Sequence, residues 1–180
     1  MEWTTELRYK RYEDWTEEEK KQTKENMAKS PWHTHYHVKP TSGLLNDPNG
    51  FSYFDGKWIL FYQNFPFGAA HGLKSWVQLE SDDLVHFNET GVKVLPDTPL
   101  DSHGAYSGSA MQFDDKLFLF YTGNVRDENW IRHPYQIGAL MDKEGKIEKI
   151  NKILIDQPAD STDHFRDPQI FNFKGQYYAI

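Results

Sequence analysis

Asn46-Asp47-Pro48 and Arg166-Asp167-Pro168 put one carboxylate each at matching positions in two copies of one hairpin pattern. A repeated sheet that carries an acid at the start of equivalent strands directs those acids toward a common centre, where they can supply nucleophilic or acid–base chemistry. Taken alone, Asn46-Asp47-Pro48-Asn49-Gly50 reads first as a turn, because its residues are turn formers. A second acidic copy in the same register shifts the reading to a site.

The elements that must position these acids are legible as a repeat. Phe51–Phe54, a turn at Asp55-Gly56 and Lys57–Tyr62 predict a β-hairpin, with aromatic and branched residues suited to a half-buried sheet. The pattern returns as Met111–Phe113, Asp114-Asp115 and Lys116–Tyr121, and again as Ile170–Phe173, Lys174-Gly175 and Gln176–Ile180. Gly56, Asp115 and Gly175 stand about 60 residues apart, a period of repeated sheets. Further strands are expected at Lys74–Glu80 and Val85–Leu95 in the first copy, and at Tyr135–Met141 and Lys146–Ile155 in the second. Four strands per unit, repeated radially, describe an all-β propeller whose ligands meet a central channel, and the chain spans about two and a half of its blades. Asp47 precedes its turn residue by nine positions, while Ser107 and Asp167 precede theirs by eight. All three therefore fall at the start of the innermost strand of a blade.

Residues 1–30 differ from the repeat region, 31–180. Half of them are charged, with both signs mixed, and Thr16 followed three residues on by Glu19 predicts a capped helix lying on the outside of the propeller. A net charge of −7 with no basic stripe excludes nucleic acid as a partner. The chain has no cysteine, no long apolar stretch and no signal-peptide pattern, which points to the cytoplasm and away from a membrane. The sequence leaves the oligomeric state open. Gln176–Ile180 is an apolar strand without a following turn, and three blades do not close a ring, so the chain reads as the N-terminal piece of a longer protein.

Five short motifs, in order, carry a family resemblance: Leu44-Leu45-Asn46-Asp47-Pro48-Asn49-Gly50, Phe61-Tyr62-Gln63, Tyr106-Ser107-Gly108-Ser109, Tyr121-Thr122-Gly123 and Phe165-Arg166-Asp167-Pro168. Over residues 31–180 the chain resembles glycoside hydrolase family 32, the invertases and β-fructofuranosidases. Within it the chain looks most like the intracellular bacterial members that act on sucrose 6-phosphate, because a charged leader stands where secreted members carry a signal peptide. The resemblance implies a five-bladed catalytic β-propeller with a smaller β-sandwich behind it. The remaining blades and the sandwich would lie outside this chain.

The resemblance also implies roles. Asp47 would be the nucleophile of a retaining reaction that forms a covalent fructosyl-enzyme, with Asp167 stabilising the transition state beside Arg166. The family's general acid is a glutamate in a Glu-Cys motif, which this cysteine-free chain cannot contain, so the piece alone should be inactive. Substrate contacts are expected from Leu44, Leu45, Asn46, Gln63, Tyr106 and Ser107, and from Trp76 as a platform for a sugar face, with core packing as its other role. His71 stands where many members have a tryptophan, and with Lys74 near it would favour an anionic substrate such as sucrose 6-phosphate. The chemistry needs no cofactor and no metal.

Two other signals carry less. His33, His35 and His37 would lie on one face of a strand, a metal-like pattern from a single segment, whereas zinc normally recruits several. Asn88-Glu89-Thr90 is a glycosylation sequon without an export signal. The rival functions are an inverting five-bladed glycosidase, with carboxyl groups about 6.5–9.5 Å apart instead of about 5–5.5 Å, a fructosyltransferase, and a non-catalytic carbohydrate-binding propeller. The intact Asp47 argues against the last.

Overall fold

Three tight hairpins set the architecture in the computed structural model, which describes residues 2–180. The first joins β1 (Leu44–Phe54) to β2 (Lys57–Phe65) through Asp55 and Gly56, and the last joins β9 (Ile170–Phe173) to β10 (Gln176–Ala179) through Lys174 and Gly175. Both residues of each loop have positive φ, from 46° to 80°, as a type I′ turn between right-twisted strands requires. The middle hairpin joins β5 (Ala105–Phe113) to β6 (Lys116–Arg126) through Asp114 and Asp115.

Each of the first two hairpins extends into a four-stranded antiparallel meander. β3 (Ser75–Ser81) and β4 (Asn88–Val94) complete one sheet, and β7 (Arg132–Met141) and β8 (Ile147–Ile155) complete the other, with spatial order equal to chain order. These are propeller blades, and the hairpin β9–β10 opens a third. Between the two full blades lies one core. Ile59 and Phe61 of β2, Leu117, Leu119 and Tyr121 of β6, and Ile137, Ala139 and Met141 of β7 alternate inward at the period of two that a strand imposes. Trp76 fills its centre, 5.4 Å from the Phe61 ring and 5.6 Å from the Tyr121 ring.

Inner strands begin earlier than their apolar pattern suggests. β1 starts at Leu44, well before Phe51, and its first half is interrupted by a bulge: Asn46 pairs with Gln63 and Pro48 with Tyr62, leaving Asp47 unpaired at φ 42°. β5 has a bulge at the same place, between Ala105 and Gly108. The Asn-Asp-Pro-Asn-Gly segment is thus strand and not turn. Gly50 is required there, since a Cβ would lie 2.9 Å from the Phe61 ring and 3.3 Å from Ala110 of the neighbouring inner strand.

The N-terminal segment holds α1 (Thr5–Arg8), a 3-10 turn at Tyr12–Asp14 and α2 (Glu17–Ala28). Thr16 and Glu19 form a reciprocal capping box: the Thr16 N–H donates to Glu19 Oε2 at 2.8 Å and the Glu19 N–H to Thr16 Oγ1 at 3.2 Å. No residue of α2 is buried. Anchoring comes instead from Trp15, which stacks on Phe67 at 4.4 Å in a cluster with Phe65, Trp3, Tyr12 and Leu44.

One expected strand is absent. His33, His35 and His37 lie in an exposed, irregular stretch between α2 and β1, so no alternation gathers three imidazoles on a face. Without a ladder partner, a polar run broken by Pro31 and Pro40 has nothing to hold it extended.

Candidate active site

A polar cavity of about 340 Å³ opens where the inner strands begin, and both Asp47 and Asp167 line it. Two larger grooves flank α2, but neither contains a residue from the bulged strand starts. Side chains facing between the repeats set the spacing. Asn49 Oδ1 of β1 accepts from the Gly108 N–H of β5 at 3.2 Å, and Ser109 Oγ of β5 bridges the third repeat, donating to Pro168 O and accepting from the Ile170 N–H, each at 2.9 Å.

Asp47 is held from two sides. Its Oδ2 accepts from Gln63 Nε2 at 3.2 Å and from Ser107 Oγ at 2.9 Å, and Gln63 also meets Ser107 and Asn46. The bulge in β5 that presents Ser107 is itself fixed by Trp76, whose indole N–H donates to Tyr106 O at 2.9 Å. Asp167, at φ 64°, hangs from the second blade: its N–H donates to Thr122 Oγ1 at 3.0 Å, and Thr122 in turn donates to Gln136 at 2.7 Å. Gln136 also donates to Phe165 O at 2.9 Å, which fixes the loop on both sides of Arg166.

The charges in the cavity feel one another. Burial raises the Asp167 carboxyl above the usual aspartate value, Arg166 opposes that with its Nε 3.5 Å from Oδ2, and the charge of Asp47 adds to it. Lys74 is buried, and desolvation brings it down to about 8 although Asp47 pulls the other way. Its ammonium donates to Asn46 Oδ1 and lies 2.7 Å from His71 Nδ1. That neighbour, with some burial, holds His71 below its ordinary value. His71 is therefore neutral at pH 7, with Nδ1 accepting from Lys74 and the ring proton on Nε2.

Of the residues expected in the site, Asn46, Asp47, Gln63, His71, Tyr106, Arg166 and Asp167 line one cavity. Ser107 stands behind Asp47 as its hydrogen-bond donor. Three expectations are corrected. Leu44 packs into the Trp15–Phe67 cluster and Leu45 against Tyr62, Val77 and Leu79, because neighbours along a strand face opposite sides and both sides here are apolar. Trp76 is fully buried between the blades and presents no ring face to a sugar. Four lining residues escaped the sequence reading: Arg8, Tyr9, Gly72 and Arg132. Arg8 and Tyr9 belong to a segment that reads as an external helix, and Pro134 makes β7 look as though it starts after Arg132. In the structure β7 runs through Pro134, which pairs with Asn124 ahead of the first β8 partner at Gln136.

With its bladed fold and two aspartates in one polar cavity, the chain belongs to glycosyl hydrolases family 32, whose N-terminal domain matches residues 37–180. It is 71% identical to sucrose-6-phosphate hydrolase of Streptococcus mutans serotype c over 97% of its own length and 36% of that protein. Among solved structures, the sucrose-6-phosphate hydrolase of Lactobacillus gasseri superposes with a TM-score of 0.96 at 50% identity, covering 99% of this chain and 36% of that one. A mutant β-fructofuranosidase of Bombyx mori in complex with sucrose gives a TM-score of 0.74 at 30% identity, over 92% of this chain and 36% of that one. The chain spans about a third of the length of these relatives. Among the described residues no helix is long and apolar enough to cross a membrane.

Proposed function

We propose that this chain supplies the nucleophile and the transition-state stabiliser of a retaining β-D-fructofuranosidase acting on sucrose 6-phosphate or sucrose. The observation that carries the reading is the convergence of Asp47 and Asp167, each at positive φ at the start of a repeat, in one polar cavity of a family 32 domain. Gln63 and Ser107 engage only Oδ2 of Asp47 among the described residues, which leaves Oδ1 for attack on the anomeric carbon of the fructosyl unit. The bond to the leaving oxygen breaks through an oxocarbenium-like transition state, and a covalent fructosyl ester on Asp47 forms. Asp167 and Arg166 grip ring hydroxyls, which strengthens binding as positive charge develops. Water then displaces the ester with a second inversion, so the fructose is released with retained configuration.

A proton must reach the leaving oxygen from a third group. Among the described residues the cavity contains no carboxylates beyond Asp47 and Asp167, and no Glu-Cys pair exists in the sequence. The acid is therefore assigned to the part of the protein beyond this chain, and the chain alone should be slower by about 10²- to 10⁴-fold or more. The names of the relatives support sucrose 6-phosphate as substrate, and the cysteine-free composition supports a cytoplasmic setting.

The test is Asp47→Asn in the full-length enzyme, with the fold checked by circular dichroism. Hydrolysis should fall below a few per cent of the parent rate. In the parent, trapping with methanol should give the β-methyl fructoside. A variant that keeps substantial activity, or an α-configured product, would refute the double displacement on Asp47.

A further inference from the structure

A pocket for a neutral sugar has no need of surplus positive charge, yet this cavity carries four cations, Arg8, Lys74, Arg132 and Arg166, against two carboxylates. Two of the cations have partners in the site: Lys74 bonds Asn46 and His71, and Arg166 faces Asp167. Arg8 and Arg132 remain. Arg132, the first residue of β7, lies with Cζ 5.8 Å from the centre of the Tyr106 ring, and its Nε and Nη1 are buried with no hydrogen-bond acceptor among the described residues. A guanidinium does not give up its proton, so burying two of its N–H groups without an acceptor is costly unless an anion is to fill the place.

Arg8 reaches the same cavity from the opposite end of the sequence, and it is fixed there. Its Nε donates to Trp3 O at 3.1 Å, and its carbonyl accepts from the Leu73 N–H at 2.7 Å. Tyr9, next along the chain, sets its ring edge-on to Trp130 at 5.1 Å, just ahead of β7. We propose that Arg132 and Arg8 form an anion subsite that takes the phosphate monoester of a phosphorylated sugar. The inference rests on the fructosidase reading and deepens it. The surplus of two positive charges matches a phosphate dianion, and two planar guanidinium forks suit its oxygens better than ammonium groups do. Lys74, tied to Asn46 beside Asp47, serves the fructosyl side of the cavity instead.

The experiment compares the full-length parent with Arg132→Gln, Arg132→Lys and Arg8→Gln. It measures kcat/KM for sucrose 6-phosphate and for sucrose, and calorimetric binding of glucose 6-phosphate and of inorganic phosphate. The ratio of the two kcat/KM values should drop about ten-fold or more in Arg132→Gln. Arg132→Lys should keep part of the preference, and glucose 6-phosphate should bind more weakly in both glutamine variants. Thermal unfolding identifies any variant that has simply lost its fold, in which case Arg132→Lys and Arg8→Gln decide. An unchanged ratio with unchanged phosphate binding overturns the subsite. A parent that cleaves neither fructoside sinks the fructosidase reading, and the subsite then stands if phosphate binding still falls in Arg132→Gln. A parent that binds neither phosphate ligand overturns the subsite whatever its activity.

Discussion

Lys74 is the residue through which the two sides of the cavity are electrically joined, since its ammonium touches Asn46 and His71 and feels Asp47. Its folded value of about 8 lies below the ordinary 10.5, so between those limits the unfolded chain binds more protons than the native one. Stability must then rise with pH across that window, because the cost of burying the charge disappears as Lys74 deprotonates. Relative to Lys74→Met, which carries no such charge, the parent should gain stability from pH 8 toward pH 10.5, as read from denaturant midpoints. A difference that stays flat would mean that Lys74 is charged in the native state throughout. At this scale much of the candidate cavity lining was legible, because Asp47, Asp167 and their motif neighbours stand at repeated positions in the sequence. Gln136, Arg8 and Arg132 were not, because each acts on residues remote in sequence and none belongs to a motif, and Thr122, though inside one, shows its role only through its bond to Asp167. Leu44 and Leu45 were overread because membership in a motif says nothing about which face of the strand a residue occupies, and Trp76 because its ring type suits a sugar platform and a core equally.

Among the elements, the hairpins were readable from their turn residues, and the strands from period-two alternation, to within a few positions. What hid the starts of β1 and β5 was the bulge, which breaks alternation where polar residues already replace apolar ones. The expected strand over His33–His37 fails because alternation without a neighbouring edge to pair with is only composition. The N-terminal segment shows a similar division between pattern and anchoring. α2 has an intact capping box yet buries nothing, whereas Trp15 lies in an aromatic cluster. Thr16→Ala should therefore cost only about 1 kcal/mol, and Trp15→Ala roughly 3–5 kcal/mol, measured by thermal unfolding. Limited proteolysis should release residues 2–30 faster in Trp15→Ala only. Since Arg8 is positioned by the same segment, Trp15→Ala should also weaken binding of glucose 6-phosphate. Equal protease sensitivity in the two variants would shift the anchoring role from Trp15 to the helix.

For the molecule as a whole, two blades share one closed core while the third presents a two-stranded sheet with Phe173, Tyr177, Tyr178 and Ile180 exposed. Exposed apolar strands recruit other strands. Produced alone, the chain should self-associate with rising concentration in sedimentation velocity, and Tyr177→Lys with Ile180→Lys should reduce this. A monomer at all concentrations would show that this edge protects itself. The cavity has a different kind of security. The Leu73 N–H donates to Arg8 O, the Ala105 N–H to Lys74 O at 2.9 Å, and the Asn124 N–H to Gly104 O at 2.9 Å, so the N-terminal segment and both blades are joined next to the cavity-lining Arg8 and Lys74 through peptide groups. Main-chain bonds are indifferent to which side chains they carry. The frame can accordingly outlast changes in the cavity lining, and on the proposed anion subsite, exchanging Arg8 and Arg132 for neutral residues would adapt the same frame to an uncharged sugar without rebuilding it. Only a proline at Leu73, Ala105 or Asn124 would strike the frame itself. Substrate range and architectural integrity thus fall under separate control, and one can drift over evolutionary time while the other stands.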